Sequence, residues 1–234
     1  MDLIQALAAE LGKDPRHVEN VVHLLDEGNT IPFIARYRKE LHGAMDDTSL
    51  RTLEERLQYL RGLEERREAV KKSIDEQGKL TDELAAAIDS AKTLAEVEDL
   101  YRPYKQKRRT RATMAKEKGL EPLAALLFAQ ERDCPRPEEA ARDFVDPEKG
   151  VETVEDALQG ASDIIAEQIS DDAAIRKSLR ALISRQGQLV SRAATEDDSV
   201  YRLYYDFTQS VARLQGHQVL AINRGEKEGI LKVS

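Results

Sequence analysis

Hydrophobic positions along most of this chain recur every third or fourth residue, the spacing that lines one side of a helix. Leu3, Ile4, Leu7 and Leu11 form the first such set, and Gly12 supplies a stop. Asp14 then offers a side-chain oxygen to unpaired backbone N–H groups. Pro15 suits the first helical position, where a missing N–H costs nothing. Val18, Val21, Val22 and Leu25 make one stripe that closes at Gly28. The two segments predict a tight helical pair. A third short helix is expected after Thr30, over 31–38.

Asp47-Thr48 opens the longest periodic segment, which should run to about Gln77 and stop at Gly78, or roughly 40 Å at 1.5 Å per residue. Leu50, Leu53, Leu57, Leu60 and Leu63 line one side, with Val70 and Ile74 further on. The heptad is not sustained long enough to require a coiled coil, so the expectation is a spine helix packed along half its length. Thr81 begins another helix, over 82–91, and Thr93 with Glu96 has capping-box spacing for the next. That helix should end before Pro103, whose ring crowds the preceding residue out of the helical region. Short helices are expected near 113–118, 120–130 and 137–144.

Residues 153–186 predict two helices meeting near Ser170-Asp171. Ile164, Ile165 and Ile169 mark the first apolar face; Ile175, Leu179, Leu182 and Ile183 mark the second, which Gly187 ends. Residues 199–215 are ambiguous and compatible with a helix. Residues 218–233 differ in kind: two short apolar runs flank a Gly-bearing turn, a hairpin signal. An isolated hairpin is marginal in water, so this one is expected to belong to a region that continues past Ser234. The expected fold class is therefore all-α. It is an irregular multi-helix N-terminal module with one long spine helix and a partial β-hairpin at the C-terminal end. Residues 1–192 form the helical domain, and 193–234 form a linker and the truncated start of the following region.

Composition agrees with helices: there is no Trp, Gly and Pro are few, and Leu, Ala, Glu and Arg are abundant. The single Cys134 excludes an intrachain disulfide framework and is compatible with a reducing compartment. No run approaches the ~20 apolar residues that span a bilayer, and the N-terminus lacks the basic segment of a signal peptide. A cytoplasmic protein without a membrane partner is expected.

Charge changes the picture more. The chain carries a formal net charge of −8, yet six of the ten residues in 102–111 are cationic. Residues 99–119 hold eight Lys or Arg against two acids, while residues 131–172 hold fourteen acids against four basic residues. An acidic total argues against coating nucleic acid over the whole surface, but not against a local basic site. The candidate nucleic-acid-binding residues are Arg102, Tyr104, Lys105, Lys107, Arg108, Arg109 and Arg111. Clustered cations neutralise phosphates and release counterions, and a tyrosine stacks on an unpaired base. Two structural readings stand beside that one. The guanidinium groups pair with acidic helices such as 131–172 while Tyr101 and Tyr104 pack inside, or the run is a solvated loop.

Other candidates carry less. Arg36, Arg38 and Lys39 would extend a basic surface, but Phe33, Ile34 and Tyr37 read better as core, with the charges solvated or paired. Arg176 and Arg180 share a helix face, for which a charged outer surface is the common explanation. The segment 2–27 suits a helical hairpin better than a DNA-reading helix-turn-helix, because its second helix is not notably basic. His17, His23, His42 and His217 show no ligand or triad spacing, and no glycine-rich phosphate loop, GxSxG or CxxC occurs. No enzyme, cofactor or metal is expected.

Several segments resemble one family. Gly28-Asn-Thr-Ile-Pro-Phe-Ile-Ala-Arg-Tyr-Arg-Lys-Glu40 is similar to the N-terminal signature of the Tex transcription accessory proteins of bacteria. So are Leu50-Arg-Thr-Leu-Glu-Glu-Arg56, Asp99-Leu-Tyr-Arg-Pro-Tyr-Lys105, the string from Lys107 to Leu123, and Arg224-Gly-Glu-Lys-Glu-Gly-Ile-Leu231. The resemblance covers essentially the whole chain. It implies a protein about three times this length, with RNase H-like, helix-hairpin-helix and S1 domains downstream and a likeness to the eukaryotic elongation factor Spt6. It further implies nucleic acid, RNA or DNA, as partner of the full-length protein, with the transcription machinery as a candidate protein partner. The S1 domain is the family's main nucleic-acid contact, so a scaffold or docking role without nucleic-acid affinity stands as the alternative for this segment.

Overall fold

A computed structural model describes residues 3–105, 108–132, 134–196 and 198–234. The chain divides into two compact units, Met1–Tyr104 and Lys105–Ser234.

The first unit is all helix: α1 (Leu3–Leu11), α2 (Pro15–Asp26), α3 (Ile31–Tyr37), α4 (Asp47–Asp75), α5 (Asp82–Ser90) and α6 (Leu94–Tyr101). Local chemistry sets most boundaries. Asp14 Oδ1 accepts from Arg16 N at 2.8 Å at the start of α2. Asp46 Oδ1 accepts from Ser49 N at 2.7 Å and caps α4, which begins at Asp47 as the pattern suggests. That backbone hydrogen bond holds the Asp46 carboxyl below the usual aspartate range. Thr93 caps α6, but Glu96 reaches past it to accept from Lys92 N at 2.7 Å.

The 29-residue α4 is the spine, and it is packed along its whole length rather than half of it. Its N-terminal half inserts Leu50, Leu53 and Leu57 into a cluster with Leu7, Val18, Val21, Ile31 and Ile34. Its C-terminal half inserts Leu63, Val70 and Ile74 into a second cluster with Ile88 and Val97. Half-packing was expected because the heptad lapses after Leu63; a second set of partners, α5 and α6, meets the shifted stripe. Arg67 lies inside this second region, donating to Glu64 Oε2 and to the Ala91 carbonyl, each at 2.6 Å.

In the second unit the core surrounds α10 (Val154–Asp171), against which α7 (Arg111–Glu117), α8 (Glu121–Ala129) and α9 (Pro137–Arg142) pack. Small residues make this possible: Ala112, Ala115, Ala157 and Ala161 are all buried. A Cβ built at Gly160 would collide with Leu120 Cδ1 and stand 3.3 Å from Ala115 Cβ. The helix α11 (Ala173–Gln186) follows α10 after the cap at Asp172, as the pattern predicts.

Beyond α11 the expectation fails in an instructive way. Strand β1 (Gln188–Ala193) is central in a three-stranded antiparallel sheet of order β2-β1-β3, with β2 at Asp206–Ser210 and β3 at Leu231–Val233. The ambiguous 199–215 segment holds two 3-10 turns and β2, not a helix. The hairpin expected over 218–233 is instead helix α12 (Gly216–Lys227) followed by β3, whose partner is β1. Gln215 and Gln218 cap α12 reciprocally, and Gly229 at φ +74° ends the turn behind it. Gly225 is not a turn residue. It sits in α12 where a Cβ would lie 2.6 Å from Leu231 Cδ1 and 3.1 Å from Tyr201 Cγ, so it lets the helix meet β3 closely.

Candidate nucleic-acid interface

The basic run crosses from one compact unit to the other, and its two halves differ. Arg102–Tyr104 forms a 3-10 turn that continues α6. Arg102 keeps helical angles, φ −53° and ψ −43°, despite the proline after it. Avoidance of helix before proline is a preference, and here the C-terminal turn of α6 overrides it. Tyr101 is structural: its hydroxyl is 2.9 Å from Ser73 Oγ, and the Arg66 guanidinium lies 5.4 Å from its ring centroid. Tyr104 packs half-buried against the second α4 cluster, and its carbonyl accepts from Gln77 Nε2 at 3.0 Å. Arg102 is half-buried and Lys105 exposed.

The other half faces solvent. Lys107 lies outside the described residues. Arg108 is exposed and has no ion-pair partner among the described residues. Arg109 pairs with Glu117 at 2.7 Å, yet its side chain is 70 % exposed. Arg111 reaches Asp163 only at 3.9 Å and is 80 % exposed. Pairs this open contribute about 0–1 kcal/mol and are screened by salt. The arginine of each pair lies in solvent, so neither is a buried clamp, although Asp163 itself is only 19 % exposed. Thr110 positions both arginines: its hydroxyl accepts from Thr113 N at 3.0 Å, while Thr113 Oγ1 accepts from Thr110 N at 2.7 Å. Arg111 is consequently the first residue of α7, the end where the helix dipole disfavours a cation. Helix stability therefore does not account for an arginine at that position.

Two family models match this chain: the Tex-like protein N-terminal domain over residues 1–75 and the Tex central region-like model over residues 133–234. The chain belongs to the Tex family. It is 43 % identical over 239 residues to the transcriptional accessory protein Tex of Neisseria gonorrhoeae, covering 100 % of this chain and 31 % of that protein. It is 48 % identical over 231 residues to protein YhgF of Escherichia coli, covering 97 % of this chain and 30 % of YhgF. The human S1 RNA-binding domain-containing protein 1 is 31 % identical over 243 residues, covering 99 % of this chain and 24 % of that protein. The chain thus spans a quarter to a third of the length of these relatives. Within the Tex family pattern, the basic run falls between the two matched segments.

Two surface features escaped the sequence reading. Tyr37, expected in the core, is 57 % exposed at the end of α3. A seven-residue helix has only two turns to offer, and Ile31 and Ile34 take the buried side. The apolar face of α11 exists as predicted, but it is only partly covered: Ile175, Leu179, Leu182 and Ile183 are 38 %, 49 %, 43 % and 55 % exposed. Periodicity could mark both faces and could not show which would be covered. Among the described residues no three His, Cys, Asp or Glu side chains are placed to hold a metal ion, and no helix is long and apolar enough to cross a membrane.

Proposed function

We propose that this chain is the N-terminal helical module of a Tex-like transcription accessory factor, and that it serves nucleic-acid binding by the full-length protein without catalysing a reaction. Its own contact is the solvent-facing part of the basic run, Arg108, Arg109 and Arg111, with Arg102, Tyr104, Lys105 and Lys107 beside them in the sequence. The observation that carries this reading is that these arginines stay open to solvent when fourteen acids stand nearby in the sequence to pair with them. The proposed setting is the cytoplasm, consistent with a single cysteine.

The test is binding of this chain to single- and double-stranded RNA and DNA across a salt series, with Arg108, Arg109 and Arg111 changed to Ala together. Each phosphate contact contributes about 0.7–0.9 to the log–log salt slope, so the triple change should lower the slope by about 2. Binding with the same slope in both proteins rejects the contact. A second reading, a protein-docking scaffold without nucleic-acid affinity, draws support from the half-exposed aliphatic face of α11. It predicts no binding of any of the four nucleic acids at low salt.

A further inference from the structure

The C-terminal end of α3 holds chemistry that the basic run does not use. Phe33 and Tyr37 stand four residues apart and share a helix face, with ring centroids 5.3 Å apart and planes inclined at 47°. The Arg38 guanidinium lies 5.3 Å from the Phe33 centroid, and Arg38 Nη1 donates to the Tyr37 carbonyl at 3.3 Å. Tyr37 is thus braced by a second ring, which is itself braced by a cation, while its own ring stays in water. Its hydroxyl has no hydrogen-bond partner among the described residues. Arg36 and Lys39 flank it, exposed and without ion-pair partners among the described residues. Residues 29–45 contain three cations and a single acid, Glu40.

An exposed ring with exposed, unpaired cations on either side of it in the sequence suits the alternation of base and phosphate along a single strand. A duplex does not fit as well, because its bases are already stacked on one another. An acidic peptide would engage the cations and leave the ring without a role. We propose that this end of α3 is a stacking site for an unpaired base of single-stranded nucleic acid, with Tyr37 against the base and Arg36 and Lys39 on the neighbouring phosphates. The proposal rests on the nucleic-acid reading given above. It adds the form of the ligand and a second place of contact, in the first compact unit.

The test compares a short oligothymidylate with its abasic counterpart, which keeps the phosphates and lacks the bases. Tyr37→Ala should weaken oligothymidylate binding by about fivefold or more and leave abasic binding within about twofold of the wild type. Tyr37→Phe should bind like wild type, since the ring is retained. Arg36→Ala with Lys39→Ala should weaken both ligands and lower the salt slope by about 1–2. Thermal melting checks that each variant folds, as expected for side chains already in solvent. Wild-type affinity in Tyr37→Ala, an equal loss on both ligands, or a Tyr37→Phe as weak as Tyr37→Ala overturns the proposal. So does equal, Tyr37-dependent binding of polyglutamate. If the Arg108, Arg109 and Arg111 change lowers binding and Tyr37→Ala does not, this site fails and the basic run stands. No binding of either oligonucleotide by the wild type removes both.

Discussion

The helices α4 and α11 carry the same kind of message in the sequence and meet different fates. Both show aliphatic side chains at helical spacing on one side and a charged remainder. In α4, Leu50, Leu53, Leu63, Val70 and Ile74 are buried, divided between two clusters built from helices on either side of it in sequence. In α11 no residue is buried. An amphipathic pattern therefore specifies a helix and the face it offers. It does not specify that a partner arrives. The stability of a helix within a protein comes mainly from that partner, because propensity alone sustains few short helices in water.

The sharpest break of this comparison is a matched pair of truncations. Leu53→Ala removes a fully buried side chain and should cost about 2–5 kcal/mol, whereas Leu179→Ala on the open face of α11 should cost under about 1 kcal/mol. Urea denaturation of each variant reads the difference, and similar midpoints would show that the α11 face is covered in solution. The next test concerns the core that α11 does not share. Gly160→Ala places a methyl group against Leu120 where α10 meets α7 and α8, and should cost about 1–3 kcal/mol in spite of the gain in helix propensity. A stabilised variant in the same assay would mean that the Leu120 side chain can turn away from α10 at no cost.

The smallest effect belongs to the surface of the first unit. Arg61 on α4 donates twice to Asp26 at the end of α2, at 2.7 and 2.8 Å. The hydrogen bond from Arg61 holds the Asp26 carboxyl below its ordinary value of 3.8. The sign follows from a native value lower than the unfolded one. The contribution is fully present above the unfolded value and is lost as pH falls through the depressed native value. Both side chains are more than two-fifths exposed, so screening reduces the effect to about 0.2–1 kcal/mol. Asp26→Asn should be slightly less stable than wild type at pH 7 and indistinguishable from it in strong acid. Denaturation midpoints across pH test this, and a gap that widens toward acid would contradict the assigned cause.

Local chemistry was legible in the sequence. Asp14 with Pro15, Thr81 and Thr93 each act within three residues of a helix start, so their meaning survives any tertiary arrangement; the caps at Thr110 and Asp172 are of the same kind but emerge only in the structure. Segment 218–233 was misread because two apolar runs around glycines suit a hairpin as well as a helix that leans on a strand. Gly225 looks like a turn until Leu231 and Tyr201 are seen against it. Strand β3 could not be paired in advance, since its partner β1 lies about forty residues earlier. At the candidate interface the cations could be named from the sequence, but their exposure could not.

The order of the helices through α11, several of their caps, the segregation of charge and the family membership were thus determined by the sequence alone, through interactions spanning a few residues or through whole-chain similarity. Only the tertiary structure decided which faces are covered. It buried both halves of α4 and left α11 open. It turned Tyr104 half inward and Tyr37 outward, and it kept Arg109 and Arg111 in water rather than locked to carboxylates. The reason is physical. A pattern records what a side chain prefers, whereas burial and ion pairing depend on what distant parts of the chain bring to it.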